Sequence, residues 1–292
     1  MASWKAKAER GSAGLIQVIA WLARTAGRPF CRGLLHPISL YFLLTDPLAR
    51  RASREFLTAA TGRAAGWRDA WAHLYTFATT LLDRVYMASG DFRRFEVAVE
   101  GDELVREALE AGKGCVLLGS HLGSFDLLML KNQVLHNRPI SVLMHLDPRA
   151  KVRRIAGVDD DKLPIIPLGR FDSYLRAYGV LAKGGLVVAL ADRSEGAAAL
   201  ESDFLGRPVP FPIGPHALAA RAGARVLVGF GVHEGGARYR IEFLDGGEAA
   251  PAGSRGAALQ PAVDRYVGLL ERHARRYPLN WFNFFPYWSQ QR

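Results

Sequence analysis

Two hydrophobic periodicities follow one another along the 292 residues of this chain. In the first part, apolar residues recur every three or four positions among basic ones, which is the spacing of one helix face. One such stripe comprises Trp67, Trp71, Leu74, Leu81 and Val85. From about residue 88 onwards, short apolar runs alternate with amphipathic stretches, as strands and helices do. The pattern predicts a helical N-terminal extension over residues 1–87 and an α/β core over residues 88–292.

The predicted strands are short, and several are apolar throughout, as strands inside a parallel or mixed sheet are. They cover residues 115–118, 140–144, 165–167, 186–191, 225–232 and 238–243. Helices are predicted at residues 103–111 with Asp102 as N-cap, at about 125–136, at 171–183, from 215 to 222, and at 259–276. The predicted fold is α/β: a single domain with a mixed central sheet flanked by helices, plus the basic N-terminal extension.

Cysteine usage argues against a disulfide or zinc framework. The chain has two cysteines, Cys31 and Cys115, which lie far apart, and Cys115 falls inside an apolar run. No Cys/His cluster has the spacing of a zinc site. We therefore expect a reducing compartment and no zinc site. We also expect no cofactor.

Positive charge is concentrated at the beginning of the chain. The formal net charge is +10, and residues 1–70 hold 11 Lys and Arg against four acidic residues, so they carry +7 of it. No nucleic-acid recognition motif accompanies these arginines, so nucleic acid is not the expected partner.

Two apolar blocks, residues 15–22 and 34–44, interleave with this charge. Both are shorter than the ~18 apolar residues that a membrane-spanning helix needs, and no signal-peptide cleavage site follows them. Basic helices with apolar and aromatic positions are typical of a membrane interface. We expect such helices here; ordinary amphipathic helices packed on the domain are the alternative.

The most informative motif follows the first buried strand. His121 lies in the turn after that strand, and Asp126 comes five positions later. Five residues on an ideal helix are separated by about 140° around the axis, so a contact requires His121 to precede the helix that holds Asp126. A neutral His121 would remove a proton from an acceptor, and Asp126 would hold its other ring nitrogen. The chain has no Gly-x-Ser-x-Gly nucleophile elbow.

Other candidate residues also follow predicted strands. Backbone amides near Gly123 and Ser124 would stabilise an oxyanion, although both residues also suit a turn. Arg170 would bind an acceptor phosphate or the oxyanion, or else lie in solvent at a helix start. Asp192 and Arg193 follow the strand at 186–191, which is where α/β sheets place ligands.

Two further side chains are candidates for the same cleft. Glu195, close behind Arg193, would assist His121, and Arg207 would pair with one of these acids or with substrate. The C-terminal aromatic residues would either contact membrane or acyl chains or close the core. They are Trp281, Phe282, Phe284, Phe285, Tyr287 and Trp288.

Residues 112–126 resemble the catalytic block of the bacterial lipid A biosynthesis acyltransferases, which belong to the lysophospholipid acyltransferase superfamily. Further stretches that are similar to this family occur in the family's order. They are residues 51–57, 82–85, 181–193, 206–215 and 277–281, the last with its Pro-x-x-Trp. The resemblance covers most of the chain and is more specific than the His-x-x-x-x-Asp spacing alone.

The resemblance implies an enzyme at the cytoplasmic face of the bacterial inner membrane, monotopic or with one short N-terminal anchor. It implies an acyl-carrier-protein thioester as donor, a His–acid dyad and no metal. The family commonly has Glu where this chain has Asp126, and residues 282–288 lack the basic residues usual after its Pro-x-x-Trp. A lipid A precursor, another glycolipid, an amino-acid lipid and a polyene-type lipid therefore stay open as acceptors.

These observations lead to one main hypothesis and two alternatives. The main hypothesis is a membrane-associated acyltransferase that moves a fatty acyl group from a thioester to a lipid or glycolipid by His/Asp general-base catalysis. A thioesterase or lipase-type hydrolase with the same dyad is the first alternative. A non-catalytic lipid-binding protein of the same fold is the second.

Overall fold

The computed structural model describes residues 21–23, 25–88, 90–124, 127, 139–145, 164–194 and 196–290. Its N-terminal part forms helices α1 (Gly27–Thr45), α2 (Pro47–Thr61) and α3 (Trp67–Ala88). Asp46 separates the first two, because its Oδ1 accepts a hydrogen bond from the Ala49 N–H at 3.0 Å and Pro47 occupies the first position of α2.

Nine strands and five more helices follow within the described residues. The strands are β1 (Glu96–Glu100), β2 (Cys115–Gly119), β3 (Ile140–Met144), β4 (Ile165–Pro167), β5 (Leu186–Leu190), β6 (Ala199–Phe204), β7 (Arg207–Pro212), β8 (Arg225–Gly235) and β9 (Arg238–Asp245). The helices are α4 (Asp102–Glu110), α5 (Ser173–Ala182), α6 (Gly214–Ala222), α7 (Gln260–Arg276) and α8 (Tyr287–Gln290). Short 3-10 turns cover Phe92–Arg94, Gly256–Leu259 and Pro278–Asn280.

Seven strands form one mixed sheet in the order β1-β9-β8-β2-β5-β3-β4. Strands β8, β2, β5, β3 and β4 are parallel, β9 is antiparallel to β8, and β1 is parallel to β9. Strands β6 and β7 form a separate antiparallel hairpin. The predicted α/β class with a mixed, helix-flanked sheet is confirmed. In the register of β2 and β5, Gly119 pairs with Leu190, so these two strands end side by side.

Apolar side chains cover both faces of the sheet. Along β2, Val116 and Leu118 point to one face, and Cys115 and Leu117 to the other, and all four are fully buried. Helices α2, α5, α6 and α7 pack on the first face with, among others, Phe56, Leu181, Leu218 and Leu270. Helices α1, α3 and α4 pack on the second face with, among others, Leu35, Leu82 and Val105.

The N-terminal helices therefore share an apolar core with the sheet, and the domain boundary after residue 87 stays a prediction. Nowhere in the described ranges is there a helix with both the length and the hydropathy needed to cross a bilayer.

Some local predictions were wrong. Asp102 does not cap α4 but begins it, and Gly101 precedes it with φ +76°. A Cβ at Gly101 would lie 2.1 Å from the Phe243 carbonyl oxygen, so both conformation and space require glycine. Trp67 is 49% exposed at the start of α3, where the helical stripe placed it in the core.

The strands β1, β6 and β7 were missed, and the helix predicted at about 125–136 lies outside the described residues, apart from Leu127. Two members of the C-terminal aromatic group close the core: Trp281 is 1% and Tyr287 is 3% exposed. For these two side chains, packing in the interior excludes contact with a membrane.

Candidate active site

His121 lies just past the carboxyl end of β2, where the sequence placed it. Its side chain is 30% exposed, so the ring is accessible from solvent although the strand before it is buried. Tyr266 fixes the end of that strand from behind, because its hydroxyl donates a hydrogen bond of 2.9 Å to the Gly119 carbonyl.

The carboxylate that holds His121 is Asp192, at the carboxyl end of the neighbouring parallel strand β5. His121 Nδ1 lies 2.9 Å from Asp192 Oδ1 and 3.1 Å from Oδ2, and the His121 backbone N–H donates to Oδ2 at 3.0 Å. The Asp192 side chain is fully buried. Since a carboxylate only accepts hydrogen bonds, Nδ1 carries a proton and a neutral ring presents an unprotonated Nε2.

The electrostatic balance keeps Asp192 charged. Burial by itself would raise the pKa of Asp192. The His121 charge, the hydrogen bonds from its ring and backbone, and the nearby Arg193 charge together lower that pKa to about 2. Near neutral pH, the site therefore holds a buried carboxylate aimed at a partly exposed imidazole.

The turn from His121 to Ser124 is held by hydrogen bonds that its backbone N–H groups donate. Leu122 N–H donates to Ser120 Oγ, Gly123 N–H to the Asn280 carbonyl at 2.7 Å, and Ser124 N–H to the Gly231 carbonyl at 2.6 Å. Gly123 has φ +79°, and a Cβ there would lie 2.1 Å from the Gly231 oxygen. The amides of Gly123 and Ser124 are thus already used, which conflicts with the expectation that they hold an oxyanion.

The C-terminal segment, residues 280–287, forms one wall of the site. Trp281 makes an antiparallel bridge to Leu122, and the Phe282 N–H donates to the His121 carbonyl at 2.9 Å. The Asn280 side chain bonds both backbone groups of His233 on β8. This segment therefore ties the His121 turn to the next strand of the sheet.

Two side chains of the same segment contact the Asp192 region directly. Asn283 Oδ1 accepts hydrogen bonds from Arg193 Nε, at 2.8 Å, and Nη2, while its Nδ2 lies 3.4 Å from Asp192 Oδ2. Tyr287 donates its hydroxyl to the Asp192 carbonyl at 2.6 Å. The Arg193 guanidinium also stacks 4.9 Å over the Phe285 ring. Arg193 is thereby fixed beside the dyad.

The remaining candidate residues either lie away from the dyad or fall outside the described residues. Arg170 is exposed near Asp172 in the loop after β4, three strands from β2, or about 14 Å at the usual spacing between strands. Arg207 pairs with Glu55 at 2.6 Å on the hairpin and contacts neither His121 nor Asp192. Asp126 and Glu195 lie outside the described residues, so their predicted roles stay predictions.

The arrangement can accept and return one proton at His121 Nε2. No described residue forms a hydrogen bond with Nε2, whereas Nδ1 is bonded to a buried carboxylate. Within the described residues, no group of three or more His, Cys, Asp or Glu side chains could hold a metal ion. General acid–base chemistry on a substrate hydroxyl or amine is what these groups can perform.

Sequence reasoning identified Asp192 as a strand-end candidate but not as the partner of His121. It missed Asn283 altogether, and it named Tyr287 only as one of the C-terminal aromatic residues. The strand-end position of Asp192 was the available signal. No local pattern indicates that Asn283, 91 residues away, turns its amide towards that carboxylate.

Comparison with known proteins identifies the family of the chain. Residues 76–288 match the family described as bacterial lipid A biosynthesis acyltransferase. Two curated relatives are the phosphatidylinositol mannoside acyltransferases of Mycobacterium tuberculosis strains CDC 1551 / Oshkosh and ATCC 25618 / H37Rv. Each is 26% identical over 201 residues, which are 67% of this chain and 61% of the relative. The chain thus spans about three fifths of the length of these relatives.

The family match includes β2 and its histidine turn, β5 with Asp192, and the C-terminal segment that joins them. This chain belongs to the bacterial lipid A biosynthesis acyltransferase family, a family of enzymes that transfer acyl groups.

Proposed function

We propose that this protein transfers a fatty acyl group from a thioester to a hydroxyl or amine of a lipid or glycolipid, with His121 as general base. The observation that carries the proposal is the pairing of His121 Nδ1 with buried Asp192 at 2.9 Å, on a ring that is 30% exposed. Such a ring has one nitrogen fixed and the other directed to substrate.

The proposed reaction balances through one proton. His121 Nε2 takes the proton from the acceptor O–H or N–H as the acceptor atom forms a bond to the thioester carbonyl carbon. The tetrahedral intermediate then expels the thiolate by breaking the C–S bond, and His121 returns the proton to that sulfur. A positioned base of this kind typically contributes about 10²–10⁴-fold to the rate.

Asp192 has two roles in this proposal. It keeps the proton of neutral His121 on Nδ1, so that Nε2 is the basic nitrogen, and it stabilises the imidazolium that forms. Its lowered pKa supports these roles, because a protonated Asp192 would provide neither the charge nor a pure acceptor.

Arg193 is the stronger of the two arginine candidates for the developing oxyanion. It adjoins Asp192 and is fixed by Asn283 and Phe285, whereas Arg170 lies at a distant strand end. A positive charge fixed before the reaction stabilises a developing oxyanion without reorganisation at that moment.

We propose that the protein acts at the cytoplasmic face of the bacterial inner membrane and that its acceptor lies in that membrane. Helix α1 supports this by exposing Leu40, Tyr41 and Leu44, at 47–61% of their surface, beside an apolar cavity of about 580 Å³ that includes Trp67 and Trp71. The basic N-terminal region suits an acidic acyl carrier protein as donor. The relatives named for phosphatidylinositol mannoside make a glycolipid the acceptor that we favour.

The experiment is a transfer assay with the purified full chain, an acyl carrier protein that bears a radiolabelled fatty acyl thioester, and a bacterial lipid extract. We expect the label to appear on lipid, in proportion to time and enzyme. Label released only as free fatty acid would replace this proposal with a hydrolase that uses the same dyad. Lipid binding with no turnover would replace it with a lipid-binding protein.

A further inference from the structure

An open cavity of about 690 Å³ lies apart from the His121 turn, between helix α2 and the β6–β7 hairpin. Its described lining contains four arginines and one acid, so it carries a formal charge of +3. These charged residues are Arg50, Arg51, Arg54, Glu55 and Arg207. The volume lies in the range of small-molecule sites.

Two of the four guanidinium groups are held in place by contacts with Trp67 and with backbone carbonyls. Arg50 stacks 4.5 Å over the Trp67 ring and donates from Nη1 to the Leu43 carbonyl at 2.6 Å. Arg54 donates from Nε to the Ala65 carbonyl at 2.9 Å. Each of these contacts leaves other N–H groups of the five-donor fork for a ligand.

The other two arginines complete the cavity from opposite sides. Arg207 is fixed by Glu55 and by the Trp288 ring, 4.9 Å from its guanidinium carbon. Arg51 is exposed on α2, and no described residue forms a hydrogen bond or ion pair with it. The cavity thus combines fixed cations with one cation that no described contact engages.

The clustering of these arginines carries an electrostatic cost. Arg50 and Arg51 lie in the first turns of α2, and that first turn contains no acidic residue. The amino end of a helix carries partial positive charge, so cations there are unfavourable, as are four cations around one cavity. An anion in the cavity would remove both penalties.

We propose that this cavity binds a phosphate group of a ligand. Guanidinium groups bind phosphate oxygens in pairs of parallel hydrogen bonds, and several fixed arginines match a multiply charged anion. The site is separate from the dyad, and its occupation does not depend on the proposed acyl transfer. The phosphate belongs either to a free phosphorylated molecule or to a lipid headgroup, and both present the same chemistry to the arginines.

The test uses the full chain with two probes, in non-ionic detergent for the titration and without detergent for the vesicles. Inorganic pyrophosphate is titrated by calorimetry at constant ionic strength, and phosphatidylcholine vesicles with and without phosphatidic acid are tested by co-sedimentation. The variants are Arg51→Gln and Arg207→Gln, with Arg106→Gln on the exposed face of α4 as the matched control. Melting temperatures establish that all three variants are folded, which the exposure of these side chains favours.

We expect binding of one probe to weaken about tenfold in both cavity variants and to stay unchanged in Arg106→Gln. Weakening with pyrophosphate assigns the phosphate to a free ligand, and weakening only with phosphatidic acid assigns it to a headgroup. The proposal is overturned if neither probe binds or if Arg106→Gln weakens binding as much as the cavity variants. It is also overturned if only one of the two cavity variants weakens binding.

Discussion

At the scale of single residues, two buried histidines outside the proposed site couple stability to pH. His73 is fully buried between Ser53 Oγ, 2.9 Å from its Nδ1, and the Trp281 carbonyl, 2.7 Å from its Nε2. His216 is buried on α6, and neither of its nitrogens has a hydrogen-bond partner among the described residues. Burial lowers the pKa of each histidine from 6.5 to about 4, because the charged ring is poorly solvated there.

These lowered pKa values make the folded state less stable at acidic pH. Below pH 6.5 the unfolded chain binds protons at these histidines, and the folded chain does so only near pH 4. Their contribution to the free energy of unfolding is therefore complete above pH 6.5. It is lost as pH falls towards 4, by about 1.4 kcal/mol per pH unit for each histidine.

The variant His216→Phe tests this prediction, because it removes a titrating ring without removing a hydrogen bond to a described residue. Urea unfolding between pH 7 and pH 4.5 should give a pH slope reduced by about 1.4 kcal/mol per unit. Leu218→Met, a conservative change at another buried position of α6, should keep the wild-type slope. An unchanged slope in His216→Phe would contradict the account.

Sequence reasoning located His121 because a polar residue after a buried strand is visible locally. It predicted Asp126, the acid nearest along the chain, as the partner of His121, and that residue lies outside the described residues. It did not predict the hydrogen bond between His121 and Asp192, 71 residues away. A hydrogen bond between neighbouring strand ends depends on which strands are neighbours, and that is fixed by tertiary packing.

At the scale of elements, helix α1 separates two kinds of surface. Cys31, Leu35 and Leu43 are buried, while Leu40 and Leu44 are about half exposed. Arg28 fixes the start of the helix through a bidentate ion pair with buried Asp83 on α3. The exposed apolar side is thus held in a defined orientation, which suits insertion into a membrane interface.

We predict that Leu40→Gln combined with Leu44→Gln lowers partitioning onto anionic lipid vesicles by about tenfold or more. Each leucine is already about half buried, so it loses on the order of 1 kcal/mol of further burial in the acyl region. Co-sedimentation measures the effect, and Leu175→Gln is the matched control, because it is 72% exposed on α5 at the opposite face of the sheet. If the double variant partitions as the wild type does, α1 is not the membrane-binding surface.

Most helices and strands of the core were predictable within a few residues, because their apolar periodicity matches their burial. The hairpin strand β7 was not, since Pro208, Pro210 and Pro212 lack the N–H of a regular strand. This strand tolerates them because it pairs with β6 alone, outside the main sheet. Strand β1 at the sheet edge has only three apolar residues, Val97 to Val99, between two glutamates, so its apolar run was too short to indicate a strand.

At the scale of the whole molecule, the sheet order brings the candidate site together from three distant parts of the chain. Strand β5 lies beside β2, so Asp192 reaches His121, and the C-terminal segment crosses both strand ends with Trp281, Asn283 and Tyr287. The fold class followed from the order of predicted elements. The strand order did not, because periodicity within a segment carries no information about its neighbours.

The central claim is that His121, oriented by Asp192, removes the acceptor proton. The most direct measurement compares the rate of acyl transfer to lipid in His121→Ala, Asp192→Asn and Asp126→Asn, with Asp203→Asn on the exposed side of β6 as control. The account predicts losses of about 10²–10⁴-fold in His121→Ala and Asp192→Asn, and wild-type rates in Asp203→Asn. Full activity in His121→Ala would contradict it, and so would a wild-type rate in Asp192→Asn alongside loss in Asp126→Asn.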